Sequence, residues 1–300
     1  MGKHGNPSDA ANRYLALGIG IMAVSTGAIF ARLADAPPLV IAAYRVGLAT
    51  LVLIPLALWK AREELFNLSR RDWMLAVIAG FFLALHFATW ITSLEYTSVA
   101  NSVVLVNTNP LWVGLLTPLI AREKIHKPVI VSIVLSVIGG VLIGWGDFAG
   151  GGKALYGDML ALAGSLGAAV YLLLGRKLRR NLSLLTYITV CYGAAAICLW
   201  IVVLILGLRI SGYSSQTVML FWAMALFTQL VGHTSFNWAL KWLSAGVIAV
   251  SLLGEPIGST ILAYIIFNEG LTVFKIAGGI FILSAIYMAA VSEKTKGVDD

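Results

Sequence analysis

Ten apolar segments, each long enough to cross a bilayer, occupy most of this chain. An α-helix rises about 1.5 Å per residue, so about 20 apolar residues span the roughly 30 Å hydrocarbon core. Charged residues make up only 12% of the 300 positions, too few to cover a water-exposed surface. We therefore predict an all-α membrane protein with ten transmembrane helices, near 14–33, 39–59, 72–94, 99–120, 128–146, 155–175, 184–207, 217–240, 246–267 and 272–291.

The basic residues predict the orientation of these helices. All but five of the 21 lysines and arginines fall at one set of alternating helix ends. The positive-inside rule places those ends in the cytoplasm. The sequence therefore predicts cytoplasmic tails at 1–13 and 292–300 and a bacterial-type inner (plasma) membrane location. The exceptions are Arg45, inside the second segment, and four residues at the outer ends, Arg32, Lys153, Arg209 and Lys275.

An internal repeat divides the chain into two parts. A shift of 146 positions aligns two stretches without a gap, and it superposes two prolines and two glutamates that are rare in so apolar a chain. We predict one five-helix repeat over 14–147 and a second over 155–291. Because five is odd, the second repeat would enter the membrane from the opposite side, as in many secondary transporters. The aligned pairs are Leu94 with Leu240, Tyr96 with Trp242, Ser98 with Ser244, Pro110 with Pro256 and Glu123 with Glu269.

The two copies, Ser93–Glu123 and Ala239–Glu269, resemble the EamA-type drug/metabolite transporters. Each has an Ala/Ser-Leu-x-aromatic-x-Ser turn, then a proline, then a glutamate at the end of the next helix. Arg45 also resembles an arginine often found in that helix. Within the superfamily, the aromatic and histidine content is most similar to the YddG branch. That resemblance implies export of amino acids, aromatic ones included, and an alternative role in exporting organic cations.

Polar and aromatic residues at helical spacing mark a candidate binding cavity. Polar side chains at membrane depth are costly unless they face a partner or water. We therefore expect these stripes to point inward and line a substrate site, with hydrogen bonding between packed helices as the alternative. The predicted substrate-binding residues are His86, Trp90, Asn101, Thr108, Tyr171, His233, Asn237, Trp238 and Ser251.

Three further residues suggest a transport mechanism. Glu255 lies near mid-membrane, where it could couple proton movement to transport or pair with a substrate ammonium; a buried acid satisfied by its neighbours is the alternative. Pro110 and Pro256 each interrupt a helix because proline lacks a backbone N–H, and their matched positions suggest hinges. A static bend is the alternative reading.

Arg45 has two interpretations. It lies about a third of the way into the second predicted helix. Its side chain could extend outward to the interface or pair with a carboxylate such as Asp35. The other possibility is that it contacts a substrate carboxylate.

Other classes of protein fit the sequence less well. Gly144-Trp145-Gly146-Asp147 matches a string of membrane aspartyl proteases, but no second aspartate faces it within a predicted helix. Zinc and ATP-binding motifs are absent from the sequence, so we predict neither an enzyme nor a cofactor or metal. The charges sit in short runs between apolar segments, which argues against a nucleic-acid partner. A channel-like facilitator stays open as a different class, and the oligomeric state is undecided.

Overall fold

The computed structural model describes residues 7–120, 127–144, 152–268, 270 and 272–299, and within these ranges the regular elements are all helical. The all-α prediction is therefore confirmed for that part of the chain. The repeated Glu123 and Glu269, and the Trp145–Asp147 string, lie outside the described residues.

We number the helices α1 to α10, call each one a predicted pass, and treat an interrupted helix as one pass. A short helix, Arg62–Phe66, connects α2 to α3. The passes are α1 (Pro7–Ser25 and Gly27–Leu33), α2 (Pro38–Lys60), α3 (Arg70–Ser93), α4 (Val99–Val106 and Asn109–Ile120), α5 (Lys127–Gly144), α6 (Lys153–Arg179), α7 (Leu184–Ile205), α8 (Ser215–Ala223, Met224–His233 and Thr234–Ala239), α9 (Ala245–Leu252 and Gly254–Phe267) and α10 (Val273–Asp299).

Eight of these passes are long and apolar enough to cross a membrane. The apolar parts of α5 and α10 are shorter, Lys127–Leu142 and Ile276–Met288. Large apolar side chains also cover much of the outer surface, including Leu115 at 67% and Ile205 at 77% exposure. A surface of this kind is stable against lipid and not against water. The chain is therefore a multi-pass membrane protein, and the count of ten spans stays a prediction.

Small residues bring α3 and α6 into close contact. Gly164 approaches the backbone of His86, and Gly157 approaches the backbone of Ser93. Residue numbers thus rise along one helix as they fall along the other, so the two helices are antiparallel. A Cβ at either glycine would lie about 3.2 Å from a backbone oxygen of α3, a distance that leaves no room for a larger side chain.

The same arrangement recurs between α1 and α8. Gly20 packs on Phe236 and Gly232 packs on Val24, so this pair is also antiparallel. Other helix contacts also occur in matched pairs when each helix of the first five is replaced by its counterpart five helices later, and the reverse. The contact of α6 with α4 then corresponds to that of α1 with α9. The contact of α3 with α7 corresponds to that of α8 with α2. The pairs α2–α7, α4–α9 and α5–α10 map onto themselves, as a pseudo-two-fold relation requires.

The aligned helices α4 and α9 break at matching positions. Each begins after a serine, Ser98 or Ser244, whose side chain accepts a hydrogen bond from the third residue beyond it. The helix is then interrupted just before Pro110 in α4 and just before Pro256 in α9. Proline lacks the N–H that would bond to the preceding turn, which explains why both interruptions fall there. Whether they act as hinges is a separate functional prediction.

Helix α8 contains one more residue than its counterpart α3. The N-cap serines, Ser69 and Ser214, are 145 positions apart, whereas the last helical residues, Ser93 and Ala239, are 146 apart. The extra residue is accommodated by a π-helical segment, Met224–His233, in which the backbone hydrogen bonds span five residues. Such segments are rare and are frequent at functional sites. Helix α8 is therefore one place where the two repeats differ in backbone.

Polar contacts join four elements where α6 turns into α7. Glu64, on the short connecting helix, accepts hydrogen bonds from Ser183 N at 2.7 Å and Thr186 Oγ1 at 2.7 Å, at the first turn of α7. Arg179 Nε, at the end of α6, donates to the carbonyl of Asn237 at 3.0 Å, near the end of α8. Burial alone would raise the pKa of Glu64, but these hydrogen bonds outweigh it and hold that pKa below its usual value. The contacts fasten the connecting helix to α7, and α6 to α8.

Replacing Glu64 by Gln should lower the apparent melting temperature of the purified protein in detergent. Two hydrogen bonds to a charged acceptor are weakened, and each is worth roughly 1.5 kcal/mol. Because the pKa of Glu64 is lowered in the folded state, its stabilisation is present above the ordinary carboxyl pKa and is lost as pH falls through the lowered value. Glu63→Gln, at the exposed neighbouring position, is the control. Equal melting temperatures for both variants at neutral pH would contradict this account.

Candidate functional site

A small cavity lies between the two halves of the molecule. Its volume is about 30 Å³, room for one or two water molecules. Both halves contribute equivalent positions, since Trp90 corresponds to Phe236 and Asn109 to Glu255 at a separation of 146. The full lining is Val24, Arg45, His86, Trp90, Val106, Asn107, Asn109, Ala168, Tyr171, Leu172, His233, Phe236, Leu252 and Glu255.

Arg45 of α2 lies in this cavity with only 1% of its surface exposed. Its Nε donates to Gln229 Oε1 of the π-helical segment at 3.0 Å. The guanidinium lies 4.1 Å from the ring centre of Phe87 and 5.8 Å from that of Trp90, at cation–π distance. The interpretation that Arg45 reaches the interface or pairs with Asp35 is wrong. The aromatic rings and Gln229 provide an internal place for the charge that the spacing along one helix could not reveal.

Glu255 supplies an acidic side chain to the same cavity. It opens the second part of α9 and is 8% exposed. Asn107 Nδ2, in the interruption of α4, donates to its Oε2 at 3.4 Å. The site is therefore bipolar, in that a basic and an acidic side chain line it together with polar and aromatic ones.

The two central histidines are held differently. His86 Nδ1 lies 2.9 Å from the carbonyl oxygen of Gly164. A carbonyl only accepts, so Nδ1 carries the proton and Nε2 of a neutral ring is left as an acceptor. The His86 ring stacks on Trp90, with centres 5.8 Å apart and planes 12° apart. The His233 ring lies 6.2 Å from that of His86 and edge-on to Phe87 at 5.2 Å.

Of the predicted binding residues, His86, Trp90, Tyr171 and His233 line the cavity, and so does the predicted coupling residue Glu255. Asn237 lies one layer behind. Its Nδ2 donates to the hydroxyl oxygens of Tyr171 and Tyr192, the latter at 3.0 Å. Asn237 thus positions a residue of the wall.

The other predicted residues do not line this cavity. Thr108 donates to the carbonyl of Leu105 and contacts the hydroxyl of Ser165, at 3.0 Å. Ser251 donates to the carbonyl of Val247 at 2.8 Å, a common way to satisfy a buried hydroxyl in an apolar helix.

Trp238 and Asn101 also lie away from the lining. Trp238 packs on Trp242, with ring centres 4.5 Å apart. Asn101 is buried, and its side-chain oxygen and nitrogen both lack a hydrogen-bond partner in the described part of the chain. A helical face is about 100° wide, so residues on one face can still lie in different layers of a bundle.

Several lining residues were missing from the predicted set. Asn107 and Asn109 stand at the interruption of α4, and Phe236 is the repeat counterpart of Trp90. The 146-residue alignment could have identified Asn109 and Phe236, because each superposes on a residue that the sequence analysis selected. Gln229 gave no such signal, since its register depends on the extra residue in α8.

Two polar atoms of the cavity wall lack a hydrogen-bond partner. Within the described residues, Trp90 Nε1 and Asn109 Oδ1 are buried without one, and both residues belong to the lining. Gln229 Nε2, beside the oxygen that accepts from Arg45, is also unpaired in that part of the chain. Buried polar groups are nearly always satisfied in folded proteins, so unpaired groups in a cavity wall suit a site that binds a polar solute. Within the described residues, no group of three or more His, Cys, Asp or Glu side chains is placed to hold a metal ion.

Taken together, the apolar exterior, paired halves and central polar cavity define a multi-pass membrane protein built for small solutes. Sequence comparison agrees, because the model of the EamA-like transporter family matches twice, over residues 13–145 and 155–291. The chain belongs to this family, as its repeat motifs predicted. The family model therefore occurs twice in this chain.

Individual relatives are transporters as well. An uncharacterized transporter of Archaeoglobus fulgidus is 27% identical over 87% of this chain and 90% of its own length. An uncharacterized transporter of Clostridium kluyveri is 24% identical over 79% of this chain and 78% of its own length. One solved structure, described as "Crystal structure of protein", has a TM-score of 0.73 at 18% identity and covers 95% of this chain and 98% of that one, a likeness of fold.

Proposed function

We propose that this protein is a secondary transporter that exports small amphipathic metabolites, in particular amino acids and aromatic ones among them. The observation that carries the proposal is the central cavity, which Arg45 and Glu255 line together with aromatic side chains. An amino acid presents a carboxylate, an ammonium and a side chain, and this lining offers a chemical counterpart to each. His86, Trp90, Tyr171 and His233 are the predicted binding residues that would touch the substrate.

The packing supports an inverted relation between the halves. If consecutive passes alternate in direction, α3 is parallel to α1. Since α6 is antiparallel to α3, it also runs opposite to α1, its counterpart in the other repeat. Inverted repeats around a midplane site are the common architecture of alternating-access carriers. In this proposal both termini are cytoplasmic and the protein resides in a bacterial-type inner (plasma) membrane.

Substrate binding in this proposal requires a change of shape. A space of about 30 Å³ is far smaller than the roughly 300 Å³ or more of ordinary ligand pockets. The interruptions at Pro110 and Pro256 adjoin lining residues in both halves, so bending there would widen the cavity. Rocking of one repeat against the other about these positions would then open it to either face.

We expect the purified protein in liposomes to carry labelled amino acids in a saturable manner and to show counterflow. Trans-side unlabelled substrate should accelerate labelled flux because a carrier returns faster when loaded. Phenylalanine and tryptophan should compete with each other. Linear, non-competing flux would contradict a carrier and favour a channel-like facilitator. Transport of organic cations without any amino acid would favour the alternative substrate class.

Replacing Glu255 by Gln should abolish the response of transport to an imposed pH gradient. In this proposal Glu255 binds and releases the coupled proton within the cavity, and the amide cannot do so. The same flux assay at several pH values measures the effect, with Glu95→Gln as the matched control at an exposed position. A Glu255→Gln protein that transports normally across the pH series would show that this acid is satisfied locally and uncoupled.

Alanine at both Pro110 and Pro256 should reduce the maximal rate by roughly tenfold while changing the half-saturation concentration little. A continuous helix regains the backbone hydrogen bonds that the prolines prevent, so bending costs more. Rates in liposomes at saturating and limiting substrate separate the two parameters. Pro118→Ala, within the second part of α4, serves as the control. An unchanged maximal rate in the double variant would rule out these positions as hinges.

A further inference from the structure

The hydrogen bonding of Arg45 leaves one edge of its guanidinium available. In the described part of the chain, its side chain makes a single hydrogen bond, from Nε to Gln229 Oε1 at 3.0 Å. The rings of Phe87 and Trp90 lie against the guanidinium at 4.1 and 5.8 Å. With Nε engaged and the rings close by, the two Nη groups remain as donors in a fixed plane. Paired donors of this kind match the two oxygens of a carboxylate.

A second donor lies beside Arg45. Trp90 is 3% exposed and belongs to the same cavity lining, and its Nε1 has no hydrogen-bond partner among the residues that the structure describes. An indole N–H only donates, so it requires an acceptor. Gln229 Nε2, beside the oxygen that accepts from Arg45, is another buried donor that is unpaired among those residues. Three residues with unpaired donors, Arg45, Trp90 and Gln229, therefore lie around the positive charge of the guanidinium.

The cavity also offers the complementary chemistry. Within the described residues, Asn109 Oδ1 is a buried acceptor without a partner, and Glu255 is the acidic residue of the lining. These two residues occupy equivalent positions in the two repeats. The lining therefore combines unpaired donors beside Arg45 with an acidic residue and an unpaired acceptor. Such a lining suits a solute with an anionic and a cationic end.

We propose that Arg45 and Trp90 form a carboxylate-binding subsite at the positive pole of the cavity, with Gln229 as the residue that positions Arg45. The proposal rests on the function proposed above and specifies that the substrate must carry a carboxylate. The Arg45 Nη groups and the Trp90 N–H donate hydrogen bonds to the anion. Gln229 holds Nε and so fixes the plane in which the Nη groups point.

The test measures binding separately from transport. The probes are 3-phenylpropanoate and its neutral amide, 3-phenylpropanamide, which share shape and ring but differ in charge. Their half-saturation concentrations are obtained from the thermal stabilisation of the purified, detergent-solubilised protein. We expect the anion to bind at least about tenfold more tightly than the amide, as hydrogen bonds to a charged group imply.

Three variants remove different parts of the subsite. Arg45→Lys keeps the charge but loses the paired donors, Trp90→Phe keeps a ring but loses the N–H, and Gln229→Met keeps the length but loses the hydrogen bond. The first two should weaken binding of the anion about tenfold and leave binding of the amide unchanged. Gln229→Met should show a smaller loss of the same selectivity. Arg62→Lys and Trp59→Phe, at exposed positions, are the matched controls.

The outcomes separate the subsite from the proposed function. Equal binding of anion and amide by the unmodified protein would overturn the subsite, as would variants that weaken both probes alike. If Arg45→Lys does not fold, Trp90→Phe and Gln229→Met decide the question. Selective anion binding without amino-acid transport in liposomes would retain the subsite and reject the exporter. Transport whose carboxylate preference survives all three substitutions would retain the exporter and reject the subsite.

Discussion

A bilayer offers no water to unpaired backbone groups, and the architecture of this protein follows from that constraint. A membrane-spanning helix satisfies its N–H and C=O groups internally, so irregular backbone is tolerated only where protein or a polar cavity surrounds it. The interruption of α4 at Asn107 and Thr108 adjoins the cavity, and Asn107 itself contributes to the lining. The interruption of α9 at Leu253 lies between two lining residues, Leu252 and Glu255. Breaks in the helices and polar chemistry are thus concentrated in the same place.

The same constraint governs the charges. A guanidinium at membrane depth is costly unless other groups replace its hydration. Arg45 finds these groups in Gln229 and in the rings of Phe87 and Trp90. Away from the cavity, Glu64 and Arg179 instead bind the termini of α7 and α8, where helix ends leave backbone groups unpaired. These three side chains therefore either build the central site or fasten helix ends.

Pseudo-symmetry makes the departures from symmetry informative. The two repeats share serine caps, helix breaks and neighbour relations, which a duplicated bundle requires for its packing. They differ at the site, where Asn109 of one repeat corresponds to Glu255 of the other and Arg45 corresponds to Cys191. The π-helical segment of α8 is a further difference, and it carries Gln229 to Arg45. One repeat supplies the basic residue and the other the acidic residue, so a bipolar cavity arises from two similar halves.

The sequence by itself determined the membrane class, the repeat, the family and the positions of the proline breaks. These follow from local composition and spacing, because apolar length and a missing N–H act within a single helix. Of the nine residues that it predicted to bind substrate, four line the cavity, and so does Glu255. Tertiary structure alone decided that Arg45 is internal, that Gln229 holds it, and that Asn237 stands behind Tyr171. Each of these depends on which helices meet and at what depth, and a hydrogen bond between residues 184 positions apart leaves no trace in the periodicity of either helix.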